Sequence, residues 1–217
     1  MPKLKEGLEQ RSYSFEIRAE QSEESGVVTG RPIVYNSRTD LGYFDEIIES
    51  GALDGTDLHD VRFLVNHDIS KIPLARSRNN NANSTMQLTP DLEGMAIRVN
   101  LDIQNNSDAR NLYSAIERGD ITGMSFMFAI DDEEWTELES DHPTRHIKKI
   151  SNVVEVSAVT FPAYESTEIS VRNKEALESA KLALENAKRS QEQTLDSERK
   201  SELELAKAKF EAFMKVR

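Results

Sequence analysis

Gly119-Asp120-Ile121-Thr122-Gly123-Met124-Ser125-Phe126-Met127-Phe128 joins an amphipathic segment to an apolar strand and puts one hydroxyl near the strand's mouth. Gly119 closes the preceding segment and Gly123 permits a tight turn. Met124 to Ile130 carries apolar residues at odd and even positions alike, as a strand covered on both faces does. Ser125 is the polar exception. A hydroxyl leaving a turn beside a strand can be a nucleophile, with the turn's N–H groups facing a developing oxyanion. Serine in such places is equally at home bonded to water or backbone, so the other segments must decide.

Upstream, Ser107 is placed to cap a helix in which Ala109, Leu112, Tyr113 and Ile116 form one stripe, and Gly119 stops it. Downstream, an acidic loop from Asp131 to Asp141, interrupted by Trp135, leads to Ile147 to Thr160, the most strand-like run, which Phe161-Pro162-Ala163-Tyr164 ends. Towards the N-terminus, Arg11 to Arg18 alternates as a half-buried strand, Gln21 to Ser25 is a polar turn, and Gly26 to Tyr35 is a strand with a bulge or edge at Gly30 and Pro32. Asn36 to Gly42 reads as a polar loop, and Phe44, Ile47, Ile48 and Leu53 as a short helical turn broken at Gly51. Val61, Phe63 and Val65 mark a strand that runs out at Asn66-His67-Asp68; Ser77 to Thr85 is a solvated hairpin loop. Met86 to Leu88 and Met95 to Ile103 pair around the Pro90 to Gly94 turn. Short strands with one good helix predict an α+β, mainly antiparallel domain, a barrel or sandwich with helices attached, and not alternating βαβ units.

The chain of 217 residues has room for one domain of about 150 residues and an appendage. From Asn173 onward there is neither Gly nor Pro, so residues 1–172 are expected as the domain and 173–217 as a helical tail, one long helix or two pieces. Leu177, Ala180, Leu184 and Ala187 make one stripe and Leu203, Ala206, Phe210 and Phe213 another. The polar Lys188 to Ser201 between them argues against a continuous coiled coil and for an exposed segment that docks on a partner. Of the net charge of −12, residues 174–217 hold 10 basic and 9 acidic side chains, which leaves −13 on the domain and argues against a phosphate-binding face. No cysteine is present, which excludes disulfides, thiol catalysis and thiolate metal sites and fits a reducing compartment. Met1 to Glu9 lacks the apolar core of a signal peptide, and no apolar run approaches the roughly 18 residues that span a bilayer. A soluble intracellular protein without nucleic-acid or membrane partners is the expectation.

Among the four histidines His67 is best placed, because a strand-end imidazole facing a cleft can take a hydroxyl proton near neutral pH; its plain reading is a locally bonded histidine. If the strand persists, His67 shares the face of Val61, Phe63 and Val65, and Asp68 points the other way. Glu155 belongs either to a wet strand face with Val153 and Ser157 or to a carboxylate that holds an imidazole's tautomer. His142 and His146 are four apart, but Pro143 lies between them in a loop-like segment, so neither metal nor cofactor is expected. A phosphate loop, a His-Glu-x-x-His motif and a Gly-x-Ser-x-Gly elbow are all missing.

In order and wording these segments resemble the prohead serine protease family of tailed bacteriophages, which is related to the herpesvirus assemblins. The resemblance runs from about Ser14 to Val171. It is carried by Gly30 to Asn36, Phe44 to Leu53, the Asn66-His67-Asp68 box, the Asp91 to Val99 hairpin, the Ile116 to Phe128 box with its Gly-x-Ser-Phe, and the Glu155-Val156-Ser157 box through Tyr164. Ala75 before Arg76 departs from the family's usual Gly-Arg. The resemblance implies an assemblin-like closed β-barrel with flanking helices, and a serine endopeptidase with Ser125 as nucleophile, His67 as general base and Glu155 as third member. His146 is the rival third member, by analogy with a Ser-His-His arrangement. A backbone N–H or an ordered water is the expected oxyanion donor. The implied partners are the major capsid protein or a separate scaffold as substrate, with self-cleavage and self-association left open. The implied place is an assembling procapsid in the bacterial host cytoplasm. A capsid assembly or scaffolding factor without catalysis, on a protease-like fold, is the alternative.

Overall fold

Alternating apolar and polar side chains build most of the fold, which the computed structural model describes for residues 8–13, 17–20, 26–160 and 174–215. In chain order these form β1 (Leu8–Tyr13), β2 (Ile17–Ala19), β3 (Gly26–Val34), β4 (Arg38–Asp40), β5 (Asp45–Ile48), β6 (Asp60–Val65), β7 (Ala75–Arg78), β8 (Met86–Asp91), β9 (Gly94–Leu101), α1 (Ser107–Glu117), β10 (Gly123–Thr136), β11 (Thr144–Val159) and α2 (Lys174–Lys215). The protein is α+β with mostly antiparallel pairing. One sheet runs β1-β10-β11-β5-β4, with β6 also on β11 and β7 on β6; the other runs β2-β3-β9-β8. The parallel pairs are β11 with β5 and β11 with β6. The sheets also meet at both ends through backbone bonds: Thr85 N donates to Arg76 O (3.1 Å), and Ile17 N donates to Thr122 O (3.4 Å). One apolar core runs between them, with Val28, Phe63, Met95, Phe126, Phe128 and Ile150 fully buried.

The chain divides into two compact units, Met1–Ala180 and Lys181–Arg217. The second is the continuation of α2, an unbroken helix of 42 residues, where the sequence left one helix or two pieces open. Leu182, Leu195, Leu203 and Leu205 are exposed along it. No helix among the described residues is long and apolar enough to cross a membrane.

Several local expectations change. Arg11 to Arg18 is not one strand: β1 and β2 belong to different sheets. Asn36 to Gly42 contains the short strand β4, and the helical turn expected around Phe44 is the strand β5. Here Phe44, Glu46 and Ile48 all point inward, so a buried carboxylate stands at the middle of the apolar alternation and masks its period of two. Ser77 lies in β7, fully buried, and not in a solvated loop. The acidic loop after Ile130 is strand as far as Thr136, because Asp131 and Glu134 face Lys149 and Lys148 across the β10–β11 ribbon. Gly123 opens that strand and makes no turn. Asn106, one residue before Ser107, caps α1, its side chain accepting from Asp108 N and Ala109 N. The stop at Gly119 holds: with φ of 77° it completes a closure in which Gly119 N donates to Ile116 O and Asp120 N to Ala115 O. The register shift between Gly30 and Ile33 is the expected bulge in β3. The turn at Gln21 to Ser25 and the end at Phe161 to Tyr164 lie outside the described residues.

A charged cluster is buried where β1, β5, β10 and β11 meet. Arg11 forks onto Glu46 through Nε (2.6 Å) and Nη2 (2.9 Å), and its Nη2 also reaches Glu9 (2.5 Å). Arg145 binds both oxygens of Glu9 at 2.7 Å, and also Glu46 and Glu133. Taking such charges out of water is costly unless every partner is in place. Burial pushes the Glu9 carboxyl up, but the charges and hydrogen bonds of Arg11 and Arg145 outweigh it and hold the group at about 2.

Two outcomes follow for stability. A methyl group on Gly94, whose φ is 140°, would stand 2.0 Å from Ile33 O, so Gly94→Ala should lower unfolding stability by about 2 kcal/mol in a denaturant titration. Glu9 has a lower pKa folded than unfolded, so its contribution is complete above about pH 4.5 and is lost as pH falls towards 2. Melting temperature should therefore drop across that window in the parent chain and less steeply in Glu9→Gln.

Candidate active site

β10, β11 and β6 lie side by side, and Ser125 on β10, Glu155 and Ser157 on β11, and His67 just past the end of β6 come to a common point. Ser125 pairs across with Ser157, and Met127 with Glu155, so Ser125, Ser157 and Glu155 share one face of the β10–β11 ribbon. β6 runs parallel on the far side of β11, with Glu155 beside Arg62 and Ala158 beside Val65. It ends at Val65, so the strand does not persist to His67 as the alternation suggested.

The backbone instead turns left-handed twice, with φ of 52° at Asn66 and 56° at His67. Asparagine tolerates this conformation well; a histidine there costs about 1 kcal/mol or more, held by its surroundings. Asn66 is clamped: its N–H donates to Ala158 O (3.0 Å), its Oδ1 accepts from Thr160 N (3.0 Å) and its Nδ2 reaches Thr160 Oγ1 (3.0 Å). The His67 N–H donates to Ser157 Oγ at 3.1 Å. The reversal swings the imidazole back across β11.

Its ring then spans the two other residues named from the sequence. His67 Nε2 lies 2.6 Å from Ser125 Oγ, and Nδ1 lies 2.5 Å from Glu155 Oε1. The second carboxylate oxygen, Oε2, accepts from Ser157 Oγ at 2.6 Å. A carboxylate on Nδ1 favours a proton there and leaves Nε2 as an acceptor toward the hydroxyl. Ser125 and Ser157 are fully buried, Glu155 is 3% exposed, and the His67 side chain 10%. The Glu155 face is therefore not a wet one. The Ser125 hydroxyl is also within 2.6 Å of the carbonyl oxygen of Arg11 on β1. A cleft of about 330 Å³ opens beside Glu155, lined by Arg62, Leu64, Ile69, Lys71, Met127 and Val154.

The other candidates fall elsewhere. Asp68 accepts from Ser70 N and Oγ and makes no contact with the imidazole. His146 bonds Glu49 (3.1 Å) and Thr136 (3.4 Å), nine residues before Glu155 on β11, about 30 Å along an extended strand. His142 does not join His146: it lies 3.2 Å from Asp45 and 3.6 Å from Asp40. Those three residues bring ligand atoms within 4.8 Å of one another, the one such group among the described residues, but Arg38 already takes Asp45 at 3.1 Å.

Sequence reading missed the parts played by Asn66, Ser157 and Thr160. A tolerant residue at the end of a strand, directly before the histidine, was the available signal for Asn66. Ser157 gave none, since serine in a strand is ordinary.

A serine, a histidine and a carboxylate in bonding order are the arrangement that nucleophilic hydrolases use, whatever the order in sequence. The family described as caudovirus prohead serine protease matches residues 13–181, and the chain belongs to that family. Membership places it among the serine proteases of bacteriophage capsid maturation. No curated protein and no solved structure matches it.

The clamp on the reversal can be tested without reference to chemistry. Asn66→Ala should lower stability by about 1–2 kcal/mol and speed amide exchange at Thr160, through lost bonds and a strained left-handed alanine. Asn66→Gly, which relieves the strain alone, should fall between that variant and the parent in thermal unfolding.

Proposed function

We propose that Ser125, His67 and Glu155 are the catalytic triad of a prohead endopeptidase that cleaves a scaffold protein, or the scaffolding region of the capsid protein, inside the assembling procapsid in the bacterial host cytoplasm. The observation that carries this reading is the single imidazole bridging Ser125 Oγ at 2.6 Å and Glu155 Oε1 at 2.5 Å. In the forward step Ser125 Oγ bonds to the scissile carbonyl carbon while its proton passes to His67 Nε2. Glu155 stabilises the resulting imidazolium through Nδ1–H. His67 then gives its proton to the departing amine as the C–N bond breaks, leaving an ester on Ser125. Water, deprotonated by His67, attacks the ester, and the acid product leaves as the proton returns to Oγ.

Ser157 is a positioning residue in this scheme. It donates to the outer oxygen of Glu155 and accepts from the His67 N–H, so one hydroxyl fixes both the carboxylate and the strained backbone that aims the ring. The edge contacts at Thr85–Arg76 and Ile17–Thr122 support a barrel of the assemblin kind, closed in the order β10-β11-β6-β7-β8-β9-β3-β2. The exposed leucines on α2 and the tail's near-neutral charge support a docking role for residues 173–217 on capsid or scaffold subunits.

Ser125→Ala should fold as the parent does and abolish the new N-terminus that mass spectrometry finds on co-expressed capsid or scaffold protein; continued processing would remove the nucleophile. Glu155→Gln should lower kcat by about 10²–10⁴-fold, and His146→Ala should stay within about threefold of the parent. Ser157→Ala should cost about tenfold in kcat with KM unchanged.

A further inference from the structure

The strand that bears Ser125 has no open edge around that residue. β11 holds one side of β10, and β1 holds the other along the whole of Leu8–Tyr13, in the antiparallel register Leu8 to Ala129, Ser12 to Ser125 and Tyr13 to Met124. A protease of this kind must take its substrate as an extended chain, and a chain beside a strand gains its affinity from backbone hydrogen bonds along a free edge. With β1 in place there is none at Ser125.

β1 also accepts a hydrogen bond from the Ser125 hydroxyl. A serine hydroxyl carries one hydrogen, and Ser125 Oγ lies 2.6 Å from Arg11 O and 2.6 Å from His67 Nε2. When the hydrogen points to Arg11 O, it is unavailable to the imidazole, and attack requires the opposite arrangement. Residues 8–12 moreover precede the region that matches the family, which starts at residue 13. β1 is the end strand of its sheet order, fastened by the fork from Arg11 to Glu46 and by Glu9 to Arg145.

We propose that the β10 edge from Met124 to Ala129 is the docking strand for an extended peptide substrate, and that the chain's own residues 8–13 occupy it at rest and must leave before cleavage. The inference rests on the endopeptidase reading. Removal of β1 frees a row of backbone donors and acceptors on β10 and returns the Ser125 hydrogen to His67. The incoming peptide then runs antiparallel to β10, as β1 does.

The absence of native cysteine makes one chain sufficient for the test. Leu8→Cys with Ala129→Cys places two thiols at directly opposed positions, away from the triad, where a disulfide would pin β1 to β10. The readout is the rate at which a biotinylated alkyl fluorophosphonate labels Ser125. The oxidised chain, its bridge verified by mass, should label about tenfold or more slowly than the same chain reduced, and reduction should restore the parent rate. Equal rates in the two redox states overturn the self-occlusion and leave the triad standing. No labelling in either the parent or the reduced chain removes the endopeptidase reading, and this inference with it. In the unaltered chain, amides of residues 8–13 that stay protected against exchange for longer than Ser125 takes to be labelled also overturn it.

Discussion

The backbone leaves β6 with two left-handed residues in succession, and that reversal carries an imidazole from the third strand of a row back over the second to the first. Without it, continued pleating would send His67 to the core side with Val61 and Phe63, both fully buried. The conformation is costly for a histidine, so the surroundings must hold it in place. They do so through β11: Ala158 O takes the Asn66 amide, Thr160 takes its side chain, and Ser157 takes the next amide along. The strand that supplies the carboxylate thus also aims the ring that the carboxylate touches, and one element sets both distances.

The sequence nominated Ser125, His67 and Glu155, and these are the three that meet. Alternation at Val61, Phe63 and Val65 and the stripe on α1 were readable because each buries a single kind of side chain on one face. What could not be read was a face of mixed chemistry. Phe44 before β5, and Glu46 and Ile48 within it, alternate inward, and a carboxylate in the middle position looks like a surface residue until Arg11 and Arg145, some 35 and 99 positions away, are brought to it. The outer half of β10 looked like a loop for the same reason, since its acidic side chains are satisfied only by lysines of the neighbouring strand. Ser157 was legible as a residue of a box and illegible as a contact, because the bond it accepts from His67 N depends on a backbone turn some ninety residues earlier.

The buried guanidinium of Arg11 on β1 and the buried hydroxyl of Ser125 on β10 belong to opposite faces of one sheet. Arg11 extends its guanidinium inward, over the Phe128 ring at 5.8 Å, while its carbonyl lies against Ser125 on the other side of the sheet. A charge cluster of this kind is a poor source of stability compared with an apolar core, but it is selective about alignment, since a slip of one residue in β1 would turn Arg11 to the opposite face, away from Glu46.

The β10–β11 ribbon changes register at four points between Met127 and Glu133. Residue numbers of paired partners therefore add to 282 at Ser125 and Ser157 but to 280 from Glu133 to Thr136, a difference of two absorbed in the middle. Four register shifts separate the inner end, which aligns Ser125 with Ser157 and Glu155, from the hairpin tip at residues 137–143. Insertions or deletions near that tip can accumulate during divergence without moving Ser125 relative to Glu155, so the outer ribbon is where length variation in this lineage can be accommodated.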